Sequence, residues 1–202
     1  MLNQINDSLF LDINRFAGIN PTLDAIVKLL AIYLPLLFIA LLLYYWFFKN
    51  TDDIYRQNLL LIVWTAIVGL FINFLIGLFY FHPRPFMLHL GKLLIPHKPD
   101  SSFPSDHATF MFAISFAIFF FTQHKTSGIV FFCLAVIGGL ARVFVGVHFP
   151  FDIAGSFIVS IISTIIIWTW KDIFGQFNKY FMKFYNKVFP YEFRVPLNKK
   201  KM

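Results

Sequence analysis

Residues 101–110 read SSFPSDHATF, with a serine, an aspartate and a histidine side by side at the start of a long apolar run. Pro104 and Ser105 opening a helix that Asp106 caps would account for the stretch alone. Ionisable groups at membrane depth are costly, however, and by default mark function. The choice between these readings depends on whether the apolar run crosses a membrane.

Composition favours a membrane protein. Of 202 residues, 58% are hydrophobic and 13% charged, against roughly a quarter charged in soluble domains. The length suits one domain of about 150 residues or more, and nothing resembles a linker, so residues 1–202 are read as a single domain. The lone cysteine, Cys133, lies in an apolar run, so no internal disulfide can form and the redox compartment is not legible. A net charge of +7 could suit nucleic acid, but no solvated fold carries it. Membrane topology explains the charge better, and no nucleic-acid partner is expected.

Outward from the opening stretch, five apolar runs approach the roughly 20 residues that a crossing needs: 26–48, 59–81, 108–122 (starting nearer Ser105), 129–147 and 153–170. The fold class expected is therefore all-α: a bundle of about five transmembrane helices with amphipathic N- and C-terminal helices. Pro35 should kink the first span, which neighbouring helices tolerate. The opening segment has no basic region, and Asp7, Asp12 and Asn14 break its apolar run. This argues against a cleaved signal peptide and for an interfacial helix within 1–24. In 171–202, Lys179, Lys183 and Lys187 recur every four residues beside Phe177, Phe181, Phe184 and Val188, the pattern of a basic amphipathic helix on an anionic leaflet. With five spans in 25–170, the side carrying this tail collects eleven lysines and arginines and the opposite side six. The positive-inside bias puts the tail in the cytoplasm and SSFPSDH on the outer face.

Three clusters meet on that outer face: FHPRPF after the second span, FPSDH before the third, and ARVFVGVHFPFD between the fourth and fifth. Arg84 or Arg142 alone could be a snorkelling helix-end residue. Both beside His107 and His148 form planar guanidinium forks suited to a phosphoryl group, and the helix starting near Ser105 adds backbone N–H groups for an anion. Pro150 argues against one helix carrying His148 and Asp152, so a turn must bring them together. A carboxylate holding one imidazole nitrogen leaves the other free as a nucleophile, with His107 as the acid for the departing oxygen. His82, His89, His97 and His124 are expected to be ordinary polar residues.

Arg84–Pro85, Pro104 to His107, and the R-x5-H-x3-D spacing of Arg142, His148 and Asp152 resemble the three signature motifs of the type 2 phosphatidic acid phosphatase (PAP2) superfamily. YFHPRPF, LIPH and SFPSDH look most like its bacitracin-resistance type of bacterial undecaprenyl-diphosphate phosphatase. The resemblance implies that His148 forms a phosphohistidine, Asp152 orients it, and His107 is the acid and later activates water. Arg84, Arg142 and Ser105 would hold the phosphoryl oxygens, with Pro85 and Asp106 as the motif positions beside them. It also implies neither cofactor nor metal, a polyprenyl diphosphate lipid as substrate, recycling of the cell-wall carrier with bacitracin resistance, and a multi-pass plasma-membrane location.

Three departures bear on that inference. The usual lysine seven residues before the first-motif arginine is Gly77, a vacancy for which Lys92 and Lys98 of the outer loop are the candidates. The usual serine before the third-motif arginine is Ala141. The usual glycine of the second motif is Asp106, whose carboxylate would repel phosphate unless it points away or pairs with a cation. Other lipid phosphates (phosphatidylglycerol phosphate, phosphatidate, lipid A), phosphotransfer between lipids, and a non-enzymatic anion- or lipid-binding transporter stay open, with a vanadate-dependent oxidase more remote. One neutral and one protonated histidine should give a bell-shaped pH profile.

Overall fold

The computed structural model describes residues 2–49 and 52–188, so the last basic residues of the tail, Arg194 to Lys201, lie outside the described residues. Among the described residues the regular structure is helical: α1 (Leu2–Asn14), α2 (Pro21–Tyr44, prolonged by a π-helical stretch Tyr45–Lys49), α3 (Asp53–Phe79), α4 (Asp106–Phe121), α5 (Lys125–Phe144), α6 (Pro150–Thr169) and α7 (Lys171–Val188). Local chemistry accounts for the starts. The Asn20 side chain accepts from Thr22 N and Leu23 N with Pro21 in the first turn of α2, and Asp52 accepts from Ile54 N at α3. Helix α2 runs on through Pro35.

Four helices, Pro21–Phe48, Asp53–Phe79, Lys125–Phe144 and Pro150–Thr169, are long and apolar enough to cross a membrane. The fifth expected span, α4, has only 16 residues, about 24 Å at 1.5 Å per residue, short of the roughly 30 Å hydrocarbon core. It sits at the centre of the bundle, packed by α3, α5 and α6. Residues on all its sides are buried, including Ala108, Met111, Phe112, Ile114 and Ala117, which is how a helix apolar all round is accommodated. Two serines of α6 set its register: Ser156 Oγ lies 2.9 Å from Ser105 O, and Ser160 Oγ lies 3.0 Å from Thr109 O. Such small hydroxyl residues let membrane helices approach closely and bond across. A belt of exposed apolar residues, among them Leu36, Phe71, Phe79, Ile137, Ile158 and Trp168, faces outward around the bundle. The protein is a multi-pass membrane protein.

The terminal helices are more tightly bound than expected. α1 buries Asn6, Phe10 and Asn14, one face at i, i+4, i+8, so this helix, expected to be interfacial, docks that face on the bundle. Asn14 Nδ2 donates to Phe144 O (2.8 Å) and Lys92 O (2.9 Å), and Asn6 accepts from Phe151 N. α7 does have a face with Lys179, Lys183 and Lys187, but it also buries Asn178, Met182 and Tyr185. Asn178 accepts from Trp64 Nε1 of α3 at 3.0 Å. Phe177, Phe181 and Phe184 remain exposed.

The segment between α3 and α4 folds across the end of the bundle. It contains a short 3-10 turn, Pro85–Leu88, and is tied to α5 by Leu94 N to Val145 O (2.9 Å) and to itself by Ser102 N to His82 O (2.7 Å). These bonds bring the three polar clusters to one place.

Candidate active site

A cavity of about 630 Å3 opens at this end of the bundle, with Arg84, His97, His107, Arg142 and His148 along its polar wall. Leu70, Phe74, Gly77 and Leu78 of α3, together with Phe103, form an apolar wall running toward the membrane interior. The order of construction is local. α6 starts with Pro150 in its first turn, so His148 lies outside the helix while Asp152 lies inside its first turn. Pro150 thus starts the helix, and the capping turn does the joining. Asp152 Oδ2 accepts from Phe149 N at 2.8 Å, from Ser102 Oγ at 2.5 Å and from His148 Nδ1 at 3.3 Å.

Arg84 Nη1 lies 3.1 Å from His148 Nε2. A guanidinium only donates, so Nε2 must accept and Nδ1 carries the hydrogen that faces Asp152. The lone pair of Nε2 is thereby directed at the cavity wall where the arginine sits. Arg84 is otherwise held by Asp100 Oδ1 (2.8 Å, through Nε), Val147 O (2.8 Å, through Nη1) and Ser101 O (3.1 Å, through Nη2). Burial pushes His148 down to about 4; its bond and attraction to Asp152 oppose the shift, and Arg84 and Arg142 add to it.

Arg142 is 3% exposed, and its Nε and Nη2 have no hydrogen-bond partner among the described residues. A buried guanidinium in that state is an anion receptor. His107 lies in the first turn of α4, whose leading N–H groups have no intrahelical acceptors.

Some expected contacts are placed differently. Ser105 is fully buried and its hydroxyl accepts from Ala108 N, so it caps α4 and does not line the cavity. Pro85 is buried at the start of the 3-10 turn. Lys98 is exposed and off the cavity. Lys92 Nζ donates to Ala17 O (3.0 Å), away from the site. Gly77 does line the cavity, and a Cβ there would meet nothing within 4 Å. Asp106 neither turns from the cavity nor pairs with a cation: Asn73 Nδ2 donates to it at 2.9 Å.

Sequence reasoning missed four residues. Asn73 was detectable as a lone amide inside an apolar span. Ser102 lay within the opening stretch, but nothing there distinguished it from its neighbours. His97 lines the cavity with its ring centroid 6.4 Å from that of His148. His82 Nδ1 faces Asp152 Oδ1 at 3.7 Å, and neither atom has a hydrogen-bond partner among the described residues. These two histidines are thus part of the site, against the expectation of ordinary polar residues.

Fold and site together define a multi-pass membrane protein with a polar cavity suited to an anion. The PAP2 superfamily profile matches residues 57–175, a stretch holding all three motifs, and the chain belongs to that superfamily. It is 35% identical over 184 residues to "Undecaprenyl-diphosphatase BcrC" of Bacillus subtilis (strain 168), covering 91% of this chain and 93% of that protein. It is 35% identical over 176 residues to "Putative undecaprenyl-diphosphatase YbjG" of Escherichia coli (strain K12), covering 83% and 85%. The crystal structure of Aquifex aeolicus LpxE superposes with a TM-score of 0.67 at 25% identity, over 80% of this chain and 93% of that one.

Proposed function

We propose that the protein hydrolyses undecaprenyl diphosphate to undecaprenyl phosphate and inorganic phosphate at the outer face of a bacterial plasma membrane, with α7 in the cytoplasm. The observation that carries this reading is His148 held between Asp152 and Arg84, beside a buried Arg142 with two uncommitted guanidinium nitrogens. The relatives' names supply the lipid, and the apolar wall on α3 gives its chain a path into the bilayer.

His148 Nε2 gives its lone pair to the terminal phosphorus as the bond to the bridging oxygen breaks, and His107 donates a proton to that oxygen. Undecaprenyl phosphate leaves, and a phosphohistidine remains. His107, now neutral, takes a proton from water as the water oxygen attacks phosphorus. Inorganic phosphate leaves, and Nε2 recovers its lone pair. Asp152 keeps Nδ1–H in place and stabilises the positive charge that develops on the ring. Arg142 and the leading N–H groups of α4 stabilise charge on the phosphoryl oxygens. Arg84 must give up Nε2 to the phosphorus, and its freed N–H turns to a phosphoryl oxygen.

The test is phosphate release by purified protein in detergent with chelator, from undecaprenyl diphosphate and from phosphatidylglycerol phosphate, for native and His148→Ala proteins. Release lost in the variant and faster from the undecaprenyl lipid is expected. Preference for the other lipid would reassign the substrate, and no release from either would leave an anion-binding membrane protein.

A further inference from the structure

The cavity has a cation problem. Arg84 is on its wall but is committed at Nε, Nη1 and Nη2 to Asp100, Val147 and Ser101, so only the N–H released from His148 can turn to the phosphoryl group. Arg142 offers the N–H groups of Nε and Nη2, a single positive charge. A phosphoryl group presents three non-bridging oxygens, and a diphosphate brings a second anionic group with it. The lysines of the outer loop do not help, since Lys92 is turned to Ala17 and Lys98 lies off the cavity.

One cavity residue that can carry positive charge has no part in the mechanism so far. His97 lines the same wall, with its ring 6.4 Å from the His148 ring and its side chain 21% exposed. Its Nδ1 lies 3.0 Å from Lys98 O. A carbonyl only accepts, so Nδ1 carries the hydrogen and Nε2 is the nitrogen left for a ligand. Resting on the function proposed above, we infer that His97 binds the phosphoryl group poised on His148 and takes up a proton as the anion enters.

The electrostatics around the ring give the direction. Facing His97 are Arg84 from the segment after α3, Arg142 from α5, His107 from α4, His148 from the α5–α6 turn, and Asp100 from its own loop, whose Oδ1 is 3.7 Å from Nδ1. In the empty cavity, burial foremost and then the two arginines hold His97 below the ordinary histidine value, despite the Lys98 carbonyl and Asp100. An anion on Arg142 reverses that balance, because it cancels the arginine charge and adds a negative partner of its own. Proton uptake and anion binding are therefore linked. Phosphate binds more tightly as pH falls, and the free energy of that coupling resides at His97.

Calorimetric titration of the purified full chain with inorganic phosphate tests this, in two buffers of different ionisation enthalpy from pH 5 to 8, on native, His97→Asn and His97→Lys proteins. Taking each variant relative to native cancels the ionisation of phosphate itself. Native protein should take up a substantial fraction of a proton more than His97→Asn near neutral pH. It should also bind phosphate about tenfold or more tightly at pH 5, the scale of one charge-assisted hydrogen bond, with the ratio declining as pH rises. His97→Lys should bind as well as native without the extra proton uptake, which also shows that substitution leaves the site folded. Equal proton uptake and affinity in native and Asn proteins would overturn the inference. So would a loss of binding common to the Asn and Lys variants. The arms are separable: His97-dependent proton uptake without phosphate release from undecaprenyl diphosphate retires the proposed function and keeps the site, and release without such uptake does the opposite.

Discussion

Replacing Arg142 by methionine should raise stability while removing activity. The residue is 3% exposed and leaves Nε and Nη2 without partners among the described residues. Each unsatisfied buried donor costs about 1–3 kcal/mol, and Met fills a similar volume without polar atoms. Relief of about 2 kcal/mol would raise the melting temperature by roughly 4–8 °C in a chain of this size. The same two donors, if aimed at the phosphoryl oxygens, are each worth about 10²–10³ in rate, so kcat/KM should fall at least about 10³-fold. Thermal unfolding in detergent with and without inorganic phosphate reads both sides. Native protein should gain about 2.7 kcal/mol at phosphate a hundredfold above Kd, and Arg142→Met should gain none. A variant that melts several degrees lower and is still stabilised by phosphate would refute the reasoning, because Arg142 would then be a structural residue.

His148→Ala should reduce phosphate release by about 10⁴-fold or more, and Asp152→Asn by about 10²–10⁴ with little change in KM, measured under saturating lipid. Because burial holds His148 near 4, its acid limb in kcat/KM should fall near pH 4, well below the ordinary 6.5. In that same window the unfolded chain binds a proton the folded site refuses, so stability falls as pH falls from 6.5 to 4; unfolding curves of native and His148→Gln proteins check whether the variant loses that slope. Gly155→Ala would place a Cβ 2.3 Å from Phe103 Cε2, displacing a cavity-wall ring two residues before Ser105; a destabilisation of about 1–3 kcal/mol and a higher KM for lipid are expected from unfolding and kinetic assays. His82→Asn should lower kcat a few-fold with KM unchanged, since His82 Nδ1 faces the back of Asp152 and the ring does not line the cavity; steady-state kinetics on undecaprenyl diphosphate decide it.

The membrane class, the helices and the three polar clusters were legible because each depends on short-range order. Apolar run lengths locate spans, and the close spacing of His148 and Asp152 survives any turn between them. Boundaries were less legible: α3 begins at Asp53, ahead of its apolar run, because Asp52 caps it. That the short α4 runs through the centre of the bundle was not legible, because burial by protein and burial by lipid leave the same apolar signature.

The sequence by itself therefore determined the class of protein and the pairing of His148 with Asp152. Only the tertiary structure decided that Ser105 caps a helix, that Lys92 and Lys98 lie off the cavity, that Asp106 rests on Asn73, and that Ser102, His82 and His97 join the site. The reason is the segment between α3 and α4, which has no hydrophobic period of its own. Its path is set by bonds such as Asn14 to Lys92, Leu94 to Val145 and Arg84 to Val147, formed between residues far apart in the chain. Local spacing cannot register such contacts, because they exist only once the helices have packed.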